Sequence, residues 1–370
     1  MAGVYIHIPF CKSKCPYCDF YSYCATIEQK KEYVNALIKE IETLSECGKF
    51  LKSPLKADTL YLGGGTPSAL SGEELSRIIK SAKKKFNIPE DGEITVECNP
   101  GSDIEKIAPF LKKAGVNRIS LGLQSVVEKE RKALGRISKK ERISEIIEIF
   151  KDLGIDNISL DVMLGVPFQT KESLNETLEF VINSGAKHIS AYILKIEDNT
   201  YFGKHPEKYT FPTEDEATDL YLQCSETLKK AGYDHYEISN FALKGYESRH
   251  NIKYWMLEDY LGIGPGAHSF VNGKRFYFES DTDKFIKGHP PIFDCYGGDW
   301  QEYIMLHLRL REGLKISELL KKYGKESIKN ITKKVPMLKN NGLVEFDGEN
   351  LSLTENGFLL SNSIITELIT

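Results

Sequence analysis

The loop after the first predicted strand constrains the fold of this chain most strongly. A β-branched and aromatic run at residues 4–8 ends at Pro9, and Cys11, Cys15 and Cys18 follow in C-x3-C-x2-C spacing. A strand that leads thiolates into a tight loop is typical of a metal site. Iron–sulfur clusters usually take four protein ligands. Three close cysteines therefore predict a cluster in which one iron keeps a free position, as in an open catalytic zinc site.

Two other interpretations of this loop stay open from the spacing alone. One is a structural zinc site in which Cys24 or His7 provides the fourth ligand, and the other is a set of thiols without metal. Cys24 lies six residues beyond Cys18, which is far for so tight a loop. The motifs that follow favour the cluster.

Composition limits the class of protein. Eight cysteines in 370 residues are too few for a disulfide scaffold, and the N-terminus lacks the pattern of a signal peptide, so we expect a reducing cytoplasm. No apolar run of about 18 residues predicts a membrane span. The formal net charge of −4 does not favour binding to nucleic acid, and we expect no nucleic-acid partner.

Residues 1–205 alternate strand and helix patterns, which predicts a parallel α/β sheet with right-handed crossovers. The strand patterns cover residues 4–8, 59–62, 93–97, 118–121, 158–163 and 188–194, and the helical patterns cover 28–44, 72–86, 102–114, 139–153 and 171–184. Each unit spans roughly 32 residues, the unit length of a TIM barrel. We predict an incomplete (β/α)6 TIM-like barrel; an open doubly wound sheet is the alternative.

Two further regions follow the predicted barrel. Residues 206–298 form a barrel extension, with a helix at 214–231, a strand at 233–238 and then a long stretch rich in glycine and aromatic residues. A stretch of that kind is usually functional or packs across a site. Residues 299–370 form a small winged-helix-like α+β domain. Its patterns are helices at 316–322, 328–340 and 356–369, and a hairpin of strands 343–346 and 351–353 around Asp347-Gly348. Its many lysines predict a solvated face.

Polar or glycine residues recur where the predicted barrel strands end. They are Gly63-Gly64-Gly65-Thr66-Pro67, Glu97, Gln124-Ser125 and Asp161, with Arg136 twelve residues beyond Gln124. Ligands bind at the carboxyl ends of parallel strands, and glycines let a ligand approach the backbone. Each residue alone is compatible with a turn, a cap or a satisfied core group. Their repetition at successive strands predicts a shared binding face.

These motifs together resemble a known superfamily. Tyr-x-His-Ile-Pro-Phe-Cys-x3-Cys-x2-Cys, Gly-Gly-Gly-Thr-Pro, Glu-Cys-Asn-Pro, Gly-Leu-Gln-Ser and Leu-Gly-Arg are similar to the radical S-adenosylmethionine (SAM) superfamily. The resemblance narrows to oxygen-independent coproporphyrinogen III dehydrogenase and its relatives, and it covers nearly the whole chain. It implies a partial (β/α)6 barrel and a [4Fe–4S] cluster held by Cys11, Cys15 and Cys18, with SAM on the open iron.

The resemblance also implies a set of SAM contacts. Carried over residue by residue, they fall on Tyr5, Tyr17, Gly64, Gly65, Thr66, Glu97, Gln124, Arg136 and Asp161. Tyr17 stands where the dehydrogenase has Phe. The chemistry is consistent, since glycines admit the methionyl backbone, carboxylates can accept ribose hydroxyls, and Arg136 can meet a carboxylate.

Two departures indicate which relative the chain resembles most. In the dehydrogenase another cysteine lies two residues after the third, where this chain has Phe20. The segment His250-Asn251-Ile252-Lys253-Tyr254-Trp255 is typical of the HemW-type haem chaperones. Such a protein would bind haem and deliver it to acceptor proteins, with the cluster and SAM as helpers or regulators. The alternative function is the dehydrogenase reaction itself, radical SAM oxidative decarboxylation; ring opening of haem is a third option.

His250 is the candidate haem ligand, because imidazole commonly binds haem iron, and Tyr254 and Trp255 could pack on the macrocycle. A histidine that hydrogen-bonds within its own loop is the alternative, and His268 is the second candidate. The partners implied are haem, a haem-accepting apo-protein, a reductant protein and a second copy of the chain. The expected location is the cytoplasm, with attachment to a membrane only through a partner.

Overall fold

The computed structural model describes residues 1–52 and 54–370. The strands are β1 Ala2–Ile8, β2 Ala57–Gly64, β3 Glu93–Cys98, β4 Arg118–Gln124, β5 Asn157–Leu164, β6 His188–Ile193, β7 Asp234–Glu237, β8 Asn240–Ala242, β9 Tyr260–Ile263, β10 His268–Val271, β11 Lys274–Tyr277, β12 Ile292–Tyr296, β13 Leu314–Lys315, β14 Val344–Phe346 and β15 Asn350–Leu353. All six strands predicted for the barrel are present.

The helices lie mostly between these strands, as the sequence pattern predicts. They are α1 Ile27–Thr43, α2 Gly72–Phe86, α3 Ile104–Ala114, α4 Glu128–Ala133, α5 Lys140–Asp152, α6 Lys171–Asn183, α7 Tyr201–Lys204, α8 Glu214–Lys230, α9 Arg249–Trp255, α10 Thr282–Ile286, α11 Trp300–His307, α12 Ile316–Tyr323, α13 Lys329–Asn340, α14 Glu355–Leu359 and α15 Ser361–Ile369. Within the described ranges, none is both long and apolar enough to cross a membrane.

Side-chain caps define where the long crossover helices begin. Thr26, Ser71, Thr170 and Thr213 each accept a hydrogen bond from the backbone N–H three residues on, and each closes a reciprocal capping box. A cap of this kind satisfies helix donors that have no partner within the helix. These caps explain why the four helices begin close to the predicted positions.

The strand order distinguishes the two sheet architectures that the sequence left open. β1 to β6 are parallel neighbours in sequential order, β9 pairs in parallel with β1, and antiparallel strands extend both ends of the sheet. A doubly wound sheet would reverse its order at a switch point, and the described strands show no such point. The α/β prediction is therefore confirmed. The sheet is open, with β7 and β12 at its two edges.

Alternation along each strand separates an apolar outer face from a polar inner face. On β1, Val4, Ile6 and Ile8 are fully buried in the hydrophobic core with the surrounding helices, whereas Tyr5 and His7 point to the other side and hydrogen-bond to each other. TIM barrels usually fill their interior with branched apolar side chains. The polar inner face of this barrel therefore points to a binding function.

The long glycine- and aromatic-rich stretch folds into regular elements. It contains β8 to β12, α9 and α10. Helix α9 lies at the amino ends of the barrel strands, where the Glu93 carboxylate accepts the N–H groups of Arg249 and His250. Lys253 bridges from the same helix to Asp58 on β2 at 3.0 Å. Helix α9 thus covers the end of the barrel opposite the cysteine loop, whereas α10 of the same stretch contacts the loop side, where the Thr282 N–H donates to the Tyr21 hydroxyl at 3.0 Å.

The C-terminal region has helices α11 to α13 and a three-stranded antiparallel sheet in the order β13-β15-β14. This is the predicted winged-helix-like arrangement of helices followed by a hairpin. The single helix predicted over 356–369 was wrong. Leu360 leaves the helical conformation (φ −105°, ψ 15°), and its N–H bonds to Gly357 in a tightened turn. The exact domain boundaries stay a prediction.

Replacement of Gly262 by Ala should destabilise the packing of β9, next to β1, against the start of β10. Gly262 pairs with Tyr5, and a Cβ there would lie 2.2 Å from the His268 carbonyl oxygen. We expect the free energy of unfolding to fall by about 1–3 kcal/mol, the usual cost of overpacking, in chemical denaturation. Gly48→Ala is the control, because its Cβ would make an ordinary 3.5 Å contact with Leu44. Equal stability of both variants would contradict the expectation.

Candidate functional site

The cysteine loop folds back over the carboxyl end of β1. Its base is tied by hydrogen bonds from the Cys11 N–H to the Tyr23 oxygen and from the Tyr23 N–H to the Pro9 oxygen, both 3.0 Å. A turn brings the Cys18 N–H to 3.1 Å from the Cys15 oxygen. All three cysteines are half-buried. The Cys11 Sγ lies 3.4 Å from the Thr66 hydroxyl, so the loop contacts the glycine-rich turn directly.

The three thiols share one neighbourhood, as a common cluster requires. Burial raises the pKa of the Cys18 thiol, and the nearby Cys15 and Cys11 sulfurs add to the rise. Among the described residues, no three His, Cys, Asp or Glu side chains converge closely enough to hold one metal ion. Cys24 is exposed and donates to the Lys12 oxygen instead.

The glycine-rich turn packs against the end of β1 so closely that side chains do not fit. Gly64 has a positive φ of 111°, and a Cβ on it would lie 2.5 Å from the His7 ring. The N–H groups of Gly65 and Thr66 donate to the Ile8 and Phe10 oxygens at 2.8 Å. The turn therefore forms a shallow, side-chain-free cradle beside the cysteine loop.

Glu97 and Asp161 line the inner face on two different strands. Glu97 accepts hydrogen bonds from the Tyr61 hydroxyl at 2.9 Å and from the Gly64 N–H at 3.2 Å. Asp161 accepts one from the Ser120 hydroxyl at 3.1 Å. Burial raises the pKa of Glu97 to about 7 and also raises the pKa of Asp161. Both carboxyl groups are placed to accept hydrogen bonds from a ligand in the lumen.

The carboxyl end of β4 carries an unusual backbone. Gln124 has a φ of +71°, and the pairing of β4 with β5 shifts between Gly122 and Gln124. Such a conformation costs about 1–3 kcal/mol for a non-glycine residue, and it clusters at functional sites. Arg136 passes Gly122 and donates to the Tyr17 hydroxyl at 2.7 and 3.2 Å. Arg136 is thereby linked to the cysteine loop.

One cavity of about 130 Å³ brings several of these residues together. Its lining includes Cys15, Thr66, Gly122 and Arg136, which come from the cysteine loop, the glycine-rich turn, β4 and the segment after α4. Tyr5, Glu97 and Asp161 lie on the adjoining inner face. The structure therefore gathers the predicted cluster and SAM residues at the carboxyl end of the barrel. Their roles as ligands stay a prediction.

The predicted haem residues lie at the opposite end. His250 is 1% exposed, with Nδ1 2.8 Å from the Thr59 hydroxyl and Nε2 2.8 Å from the Tyr254 hydroxyl. Burial lowers the His250 pKa to about 3. Because both ring nitrogens have partners and the ring is buried, iron coordination by His250 would require one of these hydrogen bonds to break and the ring to become exposed. Trp255 lies on the same helix, and its Nε1 has no hydrogen-bond partner among the described residues.

Sequence reasoning did not assign a supporting role to several residues that hold the site in place, although it considered His7 as a possible zinc ligand. Tyr61 and Ser120 donate to the two carboxylates, and the His7 ring, which bonds to Tyr5, packs behind Gly64. Each of them lies an even number of positions from a predicted residue on the same strand, and so faces the same inner side of the barrel. Counting back two positions from Gly63 or forward two from Tyr5 would have found Tyr61 and His7.

The fold is that of a radical SAM protein. Residues 5–181 match the family model of the radical SAM superfamily, and residues 299–360 match the HemN C-terminal domain. The curated Heme chaperone HemW of Bacillus subtilis is 33% identical over 98% of this chain and 98% of its own length. That of Escherichia coli is 38% identical over 73% of this chain and 70% of its own. The chain belongs to the family of the heme chaperone HemW, which confirms the predicted resemblance.

A solved structure confirms the architecture. Coproporphyrinogen III oxidase (HemN) from Escherichia coli superimposes with a TM-score of 0.82 over 100% of this chain and 90% of its own. Its sequence identity is 21%, so the likeness concerns the fold alone. The barrel and the C-terminal domain are therefore shared between the two proteins.

Glu97 should make stability depend on pH around neutrality. Its folded pKa of about 7 is above the ordinary value, so the folded protein binds this proton more tightly than the unfolded chain. The resulting stability is present at low pH and is lost as the pH rises through about 7. The measurement is chemical denaturation of the wild type and of Glu97→Gln at several pH values. The difference between their unfolding free energies, wild type minus variant, should decrease as the pH rises from about 5 to about 8. A constant difference would show that Glu97 titrates normally.

Proposed function

We propose that this protein binds a [4Fe–4S] cluster and SAM at the carboxyl end of its barrel and carries haem to acceptor proteins. The observation that carries the proposal is the 33% identity to a heme chaperone over 98% of both chains. The shared cavity of Cys15, Thr66 and Arg136 supports the cofactor part. Phe20, which is 70% exposed on the cysteine loop, supports a chaperone rather than the dehydrogenase that its motif resembles.

The chain's own residues have separate tasks in this proposal. Cys11, Cys15 and Cys18 would hold the cluster, which when bound supplies an iron with a free position for the methionyl end of SAM. Tyr5, Tyr17, Gly64, Gly65, Thr66, Glu97, Gln124, Arg136 and Asp161 would form the SAM site. The glycine cradle admits the ligand backbone, the carboxylates accept its hydroxyl and ammonium donors, and the guanidinium binds its carboxylate.

The proposed partners follow from haem delivery. They are haem itself and a haem-accepting apo-protein, together with a reductant protein for the cluster and a second copy of the chain. A cytoplasmic location suits reduced thiolates. Attachment to a membrane would depend on the acceptor.

Loss of one cluster cysteine should abolish cluster binding, whereas loss of the neighbouring cysteine should not. After anaerobic reconstitution, we expect Cys15→Ala to lose most of its iron and its brown colour. Cys24→Ala is the matched control on the same loop and should keep both, because its thiol points to the Lys12 oxygen. Iron content and visible absorption measure the result. Unchanged iron in the Cys15 variant would refute the cluster assignment.

Haem titration tests the function itself. The anaerobically purified protein should show a saturable Soret change and should lose haem to an added apo-cytochrome. Absence of a saturable Soret change, with and without SAM, would end the chaperone proposal. Formation of decarboxylated porphyrinogen under reducing conditions would favour the dehydrogenase alternative, and a changed haem mass after incubation would favour ring opening.

The same titration tests the haem ligand that we propose, His250 with Tyr254 and Trp255. His250→Ala should weaken haem binding if α9 opens to expose the ring. Thr59→Val is the control, because it removes the partner of Nδ1 and leaves the imidazole in place. If His250→Ala binds haem with normal affinity but is less stable, His250 has only a structural role at this end of the barrel.

A further inference from the structure

Arg118, the first residue of β4, is a buried cation that the proposed function does not use. It is 2% exposed, and its Nε has no hydrogen-bond partner among the described residues. An arginine stays charged in proteins, and a buried charge without compensation is costly. Its placement therefore needs an explanation other than local hydrogen bonding.

The strand register places Arg118 below the two carboxylates of the proposed SAM site. It pairs with Thr95 on β3 and with Asn157 on β5. Along these strands Glu97 lies two positions above Thr95, and Asp161 lies four positions above Asn157, all on the inner face. The Thr95 hydroxyl and the Asn157 amide oxygen are also buried without partners among the described residues. Arg118 thus points into a polar lumen between the strands that carry both carboxylates.

The surroundings of Arg118 leave these carboxylates as its counter-charges. The charged and titratable groups that face Arg118 or the two carboxylates are Tyr5, Tyr61, Cys98, Arg136, His188, Tyr192, Tyr236, Glu237, His250 and Tyr254. Burial lowers the pKa of His188 and His250 and raises those of the tyrosines and of Cys98, so these groups are neutral at pH 7. Glu237 accepts a hydrogen bond from Asn240, and the cation that faces it is Arg309.

We propose that Arg118 is a positioning residue of the SAM site, whose buried positive charge keeps Glu97 and Asp161 ionised and able to accept hydrogen bonds from the ligand. This inference rests on the proposed function, because it assigns a role within that SAM site. Arg118 does not touch the ligand in this arrangement. It acts through the two carboxylates, from the strand between them.

The electrostatics of the two acids support this role. Burial is the main cause that raises the pKa of Glu97 to about 7; the hydrogen bonds from Tyr61 and Gly64 oppose the rise, and the positive charge of Arg118 adds to their effect. Burial also raises the pKa of Asp161, and the hydroxyls of Ser190 and Ser120 oppose the rise together with the charge of Arg118. Because the pKa of Glu97 lies near neutrality, the guanidinium contributes to the ionised fraction of Glu97 at pH 7. Without Arg118, more of the carboxylate would be protonated and unable to accept a second donor.

The pH dependence of SAM affinity tests the proposal. In the cluster-loaded protein under anaerobic conditions, SAM should bind more tightly as the pH rises through about 7. Arg118→Met should shift this midpoint upward by about one pH unit, so that SAM binds several-fold more weakly at pH 7 and nearly as wild type at pH 9. Arg118→Lys keeps the charge and should keep the wild-type midpoint. An unchanged midpoint, or a loss of affinity that is equal at every pH, would overturn the proposal.

A second measurement separates this inference from the proposed function. Infrared titration of the protonated carboxyl band, with Glu97→Gln to assign it, reads the Glu97 pKa without SAM. Arg118→Met should raise that pKa even if the wild type binds no SAM, an outcome that would refute only the SAM site. An unchanged Glu97 band would overturn the inference. If Arg118→Met does not fold, the Arg118→Met/Glu97→Gln double variant should recover stability; no recovery would show that the two charges are not coupled.

Discussion

The site depends on main-chain hydrogen bonds between the end of β1 and the glycine-rich turn. The N–H groups of Gly65 and Thr66 donate to the Ile8 and Phe10 oxygens at 2.8 Å, which fixes the turn against the start of the cysteine loop. Any side chain on Gly65 would meet the same two oxygens within 3 Å. The parallel pairing of β1 with β2 brings the two segments together, so the geometry of the cysteines follows from the first β/α unit.

The inner face of the barrel shows a second constraint, the need to balance charges in a polar lumen. An apolar interior would gain more from packing, because buried polar groups contribute to stability only when they are satisfied. The Thr95 hydroxyl and the Arg118 Nε have no hydrogen-bond partners among the described residues. Their burial therefore destabilises the fold. Natural proteins keep such costs mainly at functional sites. Here they lie directly below the carboxylates that would contact a ligand.

Much of the fold could be predicted because its signals are local. Helix caps such as Thr26 and Ser71 and the apolar outer face of β1 follow from short stretches of sequence. The position of α9 could not be predicted, because it depends on the Glu93 carboxylate 156 residues earlier in the chain. The location of the candidate site could be predicted from the spacing of the cysteine and glycine motifs. Arg118 carried no such signal, since only strand register shows that it faces the lumen.

The two motifs that define this chain lie at opposite ends of one lumen, and Tyr61 connects them. Its hydroxyl donates to Glu97 at 2.9 Å, while its ring stacks on His250 with a centroid distance of 5.3 Å. Movement of α9 that frees His250 would remove the stacking partner of the side chain that bonds to Glu97. The amino end of the barrel is therefore not an independent surface. Tyr61 therefore couples the packing of α9 to the carboxylate layer, beside the buried charge of Arg118.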